Sequence, residues 1–99
     1  MDATAFRATL SSEIPPADLP PTLTALWWDA KGDWTTAHAL VDELETQDGM
    51  AVHAYLHRKE GDSSNAAYWY SRAGRRPSSA TLEEEWAEIV SVLLASSAT

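Results

Sequence analysis

Gly61-Asp62 followed by Ala66, Tyr70 and Ala73 constrains this chain more than any other stretch, because Gly32-Asp33 followed by Ala37 repeats its opening 29 positions earlier. In each copy the Gly supplies the left-handed residue that ends one helix, and the Asp is a favoured N-cap for the next. The Ala five positions after each Gly is small enough for two helix backbones to approach closely. Two copies of one helix–turn–helix unit point to a helical-repeat arrangement.

Apolar spacing fills in the remaining elements. A helix is expected from Pro21 or Thr22 to Gly32, with Leu23, Leu26, Trp27 and Ala30 on its apolar face. Asp33 opens a second, running to about Glu45, whose stripe is Trp34, Ala37, His38, Val41 and Leu44. Gln47-Asp48-Gly49 reads as a turn, and a third helix follows from about Met50 to Glu60. Asp62 or Ser63 caps a fourth, with Ala66, Trp69, Tyr70 and Ala73 inward and Gly74 after it. The capping box Thr81-Leu82-Glu83-Glu84 opens the last, which continues through Trp86, Ile89, Val90 and Leu93. No stretch alternates as a strand does. The expected fold is all-α: an antiparallel array of about five helices, made of two repeat-like pairs (22–46 and 50–74) and a capping helix (81–97) within a single helical domain, 22–99. Ahead of it, 1–21 should hold a short, weakly packed helix with Phe6 and Leu10 on one side, then a proline-rich connector. Residues 96–99 should fray.

The 44% apolar content, with five Trp, is ample for one core in 99 residues. Without Cys there is no disulfide, thiolate metal site or cysteine nucleophile. The first ten residues carry an Asp and no long apolar run, unlike a secretion signal, and no stretch approaches the length of a membrane span. A cytoplasmic location is the expectation. The net charge of −8 argues against duplex nucleic acid or an anionic membrane as the main ligand, since both demand a basic footprint. Five of the seven bases nevertheless lie between positions 58 and 76, so Arg72, Arg75 and Arg76 are a possible anion-facing group. They also sit at a helix end, where the dipole favours cations.

The run Gly61-Asp62, Ala66, Tyr70, Ala73 resembles the second half of a tetratricopeptide repeat, and Gly32, Asp33, Trp34 and Ala37 resemble the same half of a preceding unit. The resemblance covers about residues 22–77. It implies stacked helix pairs that bind a protein or peptide on the face of the third helix, where Tyr55, Arg58 and Lys59 align with the concave side. The segment His53-Ala54-Tyr55-Leu56-His57-Arg58-Lys59-Glu60-Gly61-Asp62, with Asn65-Ala66-Ala67-Tyr68-Trp69-Tyr70, is also similar to short bacterial proteins of uncharacterised function, which supports the fold and transfers no activity.

His53 and His57 are four apart on a helix and so share a face, with Glu60 one turn further on. With His38 from the neighbouring helix they make a plausible set of imidazole and carboxylate ligands for zinc or iron. The residue after His53 is Ala54, not the Glu of a metalloprotease helix, so no hydrolase follows. Packing is the competing role for these rings, since a buried His needs only one donor and one acceptor. Consecutive aromatic residues on a helix point about 100° apart, so Tyr68, Trp69 and Tyr70 cannot all face inward. Tyr68, beside Arg72, is the expected exposed anchor. No Gly-rich phosphate loop, Ser-His-Asp set or inward carboxylate pair is legible. The sequence therefore predicts a non-enzymatic module binding a protein or peptide through Tyr55, Arg58, Lys59, Tyr68 and Arg72, with no cofactor. The alternative is a small metal- or ligand-binding protein using His38, His53, His57 and Glu60.

Overall fold

In the computed structural model, which describes residues 1–97, the two Gly-Asp pairs adopt one geometry. Gly32 and Gly61 have φ of +87° and +90°, a region open to Gly at little cost. The next amide reaches back five residues, Asp33 to the Trp28 carbonyl at 2.9 Å and Asp62 to that of His57 at 3.0 Å, which closes the preceding helix. Each Asp carboxylate then accepts the amide three residues on, from Thr36 and Asn65, and opens the next helix.

These junctions join α2 (Pro21–Ala30) to α3 (Trp34–Val41), and α4 (Gln47–Lys59) to α5 (Ser63–Arg72). The short α1 (Ala3–Ala8), extended by one 3₁₀ turn, precedes them, and α6 (Leu82–Ser97) follows. The described residues form six α-helices and no strand, where an array of about five behind a short N-terminal helix was expected. At α6 the capping box is complete: Thr81 N–H donates to Glu84 at 3.0 Å, and Glu84 N–H to the Thr81 hydroxyl at 3.1 Å. The helix runs through Ser97, and the rest of the 96–99 stretch expected to fray lies outside the described residues.

Leu23, Leu26, Trp27, Val41, Val52, Leu56 and Val90 are fully buried in one cluster, joined by Phe6 from α1. The weak packing expected of that first helix is therefore corrected. Phe6 wedges beside Trp86 with ring centroids 5.9 Å apart, Trp27 donates its indole N–H to Thr9, and Lys31 binds the Leu10 and Ser12 carbonyls. Ala54 of α4 and Ala66 of α5 are buried together, so these helices touch through small side chains.

Two local expectations fail for tertiary reasons. Gln47-Asp48-Gly49 is the first turn of α4, because the Thr46 hydroxyl caps the Gly49 amide at 3.0 Å. Gly49 is required there by space: a Cβ would lie 2.6 Å from the Leu44 carbonyl oxygen. On α2, Ala30 is exposed and its neighbour Asp29 is buried instead.

Candidate metal-binding site

The cap at Asp33 sets the rotation of α3, which aligns Trp34, His38 and Asp42 at successive fours along one side. From α4, His53 and His57 face them. From α5, Asn65 and Trp69 close the other flank. The result is a cluster of three imidazoles with one ring nitrogen from each of His38, His53 and His57 lying within 4.8 Å of the others.

His38 Nε2 and His53 Nε2 are 3.0 Å apart. With both rings neutral, one carries the shared proton and the other accepts it. His53 is 2% exposed and its Nδ1 is buried with no hydrogen-bond partner. If His53 donates from Nε2, Nδ1 is an unused lone pair; if it accepts there, Nδ1 is an orphan N–H. Either way the ring has one more polar atom than the surrounding protein satisfies.

Burial lowers the His53 pKa to about 4, with the His57 and His38 rings adding to the depression and Asp42 opposing it. This ring is thus neutral at pH 7, the form that binds metal. His57 Nδ1 lies 2.6 Å from Glu60 Oε1, and its Nε2 is 3.4 Å from the Asn65 amide nitrogen. The indole of Trp34 stacks on His38 at 4.8 Å and that of Trp69 on His53 at 4.0 Å. Trp34 is held in place by its N–H on the Leu56 carbonyl at 2.8 Å.

The second acidic grouping, His57, Glu60 and Asp62, is more exposed, and Asp62 is already occupied as the cap of α5. Asp42 was not among the residues singled out from sequence. Its carboxylate, more than half exposed, reaches to 3.7 Å from His38 Nε2. The signal was present, since Asp42 is four positions after His38 on one helix. Asn65 and Trp69 depend on how α5 lies against α4, and no local pattern marks them.

The accessible strip expected of Tyr55, Arg58 and Lys59 does not exist. Tyr55 is 2% exposed and donates its hydroxyl to Asp29 Oδ2 at 3.0 Å. Lys59, open to solvent along its stem, sets its ammonium on Asp29 Oδ1 at 2.8 Å. Arg58 binds Glu85 at 2.7 Å and the Ala80 carbonyl, while Tyr70 donates to the other Glu85 oxygen at 2.5 Å. Burial first, then the neighbouring carboxylates, pushes both tyrosine pKa values well up. These residues tie α4 to α2, α5 and α6.

Tyr68 is 55% exposed, as anticipated, and Arg72 lies over its ring and that of Trp69 at 5.8 and 5.0 Å. Arg72 and Arg75 are also turned toward Glu45 and Asp48, each at 3.7 Å, so the basic end of α5 is partly neutralised. Among the described residues no helix is long and apolar enough to cross a membrane. Compared with known proteins, the chain matches no family model, no curated protein and no solved structure.

Proposed function

We propose that this protein is a small helical metal-binding module that takes a divalent ion of the zinc class through His38, His53 and His57. The supporting observation is the convergence of three imidazoles in which His38 Nε2 and His53 Nε2 already stand 3.0 Å apart. Nitrogen ligands 2.0–2.1 Å from a tetrahedral zinc ion lie about 3.3 Å from one another, so this pair needs little adjustment. His57, with a ring nitrogen within 4.8 Å of theirs, would be the third ligand. Imidazoles without thiolates suit zinc, copper, nickel or iron rather than softer ions. Asp42 or water supplies the fourth position from the open side. Because α3 and α4 each contribute ligands, a bound ion would clasp them together and stabilise the fold.

The test uses untagged protein stripped of metal. Zinc should bind with one-to-one stoichiometry by calorimetry and raise the melting temperature, by the equivalent of about 2.7 kcal/mol at free zinc a hundredfold above Kd. Chelator should reverse the shift, and a His38→Ala, His53→Ala double variant should lose it. Absence of binding by the wild type, or binding that the double variant retains, would overturn the proposal.

A second reading keeps the repeat-like scaffold as a platform for a protein partner. The exposed Tyr68 with Arg72 beside it supports this reading, with α5 rather than α4 as the contact element. Capture of one partner by the wild type and not by Tyr68→Ala, with equal folding by circular dichroism, is the result it requires.

A further inference from the structure

We infer that Glu60, which the sequence presents as a metal ligand, is instead a positioning residue: its carboxylate fixes the proton of His57 on Nδ1 and so leaves Nε2 as the ring's donor atom. This rests on the metal reading of the histidine cluster. The geometry begins with the end of α4. Glu60 is its C-cap, and the Leu56 carbonyl accepts the Glu60 amide at 3.1 Å, which holds the residue in helical conformation one turn beyond His57. Gly61 then turns the chain away with φ +90°, so the Glu60 side chain folds back along the helix. Its Oε1 meets His57 Nδ1 at 2.6 Å.

A carboxylate accepts and does not donate when ionised, so that short contact requires N–H on Nδ1. The other side of the ring agrees. Asn65 Nδ2, a donor, faces His57 Nε2 at 3.4 Å, which is compatible only with a lone pair there. That contact is long and weak, and a cation outcompetes it. A carboxylate on the far nitrogen of a ligating imidazole orients the ring and raises its basicity, and loss of such a partner lowers metal affinity about 10- to 100-fold. Glu60 is about a third exposed, and its Oε1 is taken up by the hydrogen bond to His57. Free imidazole tends to carry its proton on Nε2, so without Glu60 the donor nitrogen would be blocked in the resting protein.

Two measurements decide the matter. In the metal-free protein at pH 8, nitrogen-15 NMR of the His57 ring should show the proton on Nδ1 in wild type and in Glu60→Gln, whose amide oxygen still accepts, and a shift toward Nε2 in Glu60→Ala. Zinc calorimetry should then show affinity reduced 10- to 100-fold in Glu60→Ala and partly restored in Glu60→Gln, with stoichiometry unchanged. With cobalt as a spectroscopic substitute, the coordination bands of Glu60→Gln should match those of wild type. Altered bands would make Glu60 a ligand and overturn the inference. Equal zinc affinity of Glu60→Ala and wild type would overturn it as well. A wild type that binds no zinc removes the metal reading and this role with it, while the NMR result independently shows whether Glu60 holds the ring.

Discussion

Helix α4 carries two polar clusters on different sides, and they differ in how completely they are satisfied. Toward α2 and α6, Tyr55, Arg58 and Lys59 meet Asp29 and Glu85, and every charged or hydroxyl group of that set has a partner of opposite character at hydrogen-bonding distance. Toward α3 and α5, His38, His53 and His57 face one another, and His53 Nδ1 is left over. Buried polar groups that pair internally fasten a fold. His38 and His53 share only one bond between them, and the metal proposal rests on that convergence. The contrast bears on the expectation from sequence, in which Tyr55, Arg58 and Lys59 of α4 formed an accessible strip and its histidines either packed or held a metal ion.

The largest effect expected is from breaking the satisfied cluster. Glu85→Ala leaves the Tyr70 hydroxyl buried without its acceptor and Arg58 without its counter-ion, and should cost about 3 kcal/mol by urea unfolding. Arg58 keeps partial access to solvent, which holds the loss at the low end for a buried pair. A variant as stable as wild type would show that the network is ornamental and remove one side of the comparison.

Next in size is Ala66→Leu, placed where α5 lies against Ala54 of α4. Overpacking there should cost about 1–3 kcal/mol and push α5 outward, carrying Trp69 and Asn65 away from the histidines. Melting unchanged from wild type would mean that the close helix contact is not what positions that flank.

The smallest stability change should come from the histidine side. In metal-free protein at pH 7, His53→Leu should be within about 0.5 kcal/mol of wild type, because the bond lost to the half-buried His38 is offset by removal of the unpartnered buried nitrogen. The variant should also have a different pH profile. The folded pKa of His53 is depressed to about 4 from the ordinary 6.5, so the unfolded chain takes up a proton that the folded form refuses. Stability from this ring is complete above pH 6.5 and declines as pH falls toward about 4, and His53→Leu should lack that component. Asp33 and Glu84, held below their ordinary values by hydrogen bonds from Thr36 and Thr81, lose their share at more acidic pH in both proteins. Thermal melts across pH 4–7 separate the two contributions, and parallel curves for wild type and variant would contradict the buried, neutral state of His53.

What was legible in the sequence was local. Gly32-Asp33, Gly61-Asp62 and the Thr81–Glu84 box state their own hydrogen bonds, because cap and partner lie within five residues. The pairing of His53 with His57 follows from helical spacing alone, and the proximity of His38 followed from placing two helices side by side. The burial of Tyr55 was hidden because its acceptor, Asp29, is 26 positions away, and that of Arg58 because Glu85 is 27 away. Each residue looked like surface until its counterpart arrived from another helix. Gly49 misled for a similar reason: the close approach of Leu44 that demands a glycine belongs to the packed chain, whereas an isolated Asp-Gly reads as a turn.

The two indoles stacked on the imidazoles turn the cluster into its own optical reporter. Trp34 and Trp69 lie within 10° and 21° of parallel to His38 and His53, so any gain of charge or rotation in those rings is imposed directly on a neighbouring chromophore. Trp27 and Trp86 sit in the apolar core and supply a steady background. Intrinsic emission from unlabelled protein should therefore change with the state of the histidines.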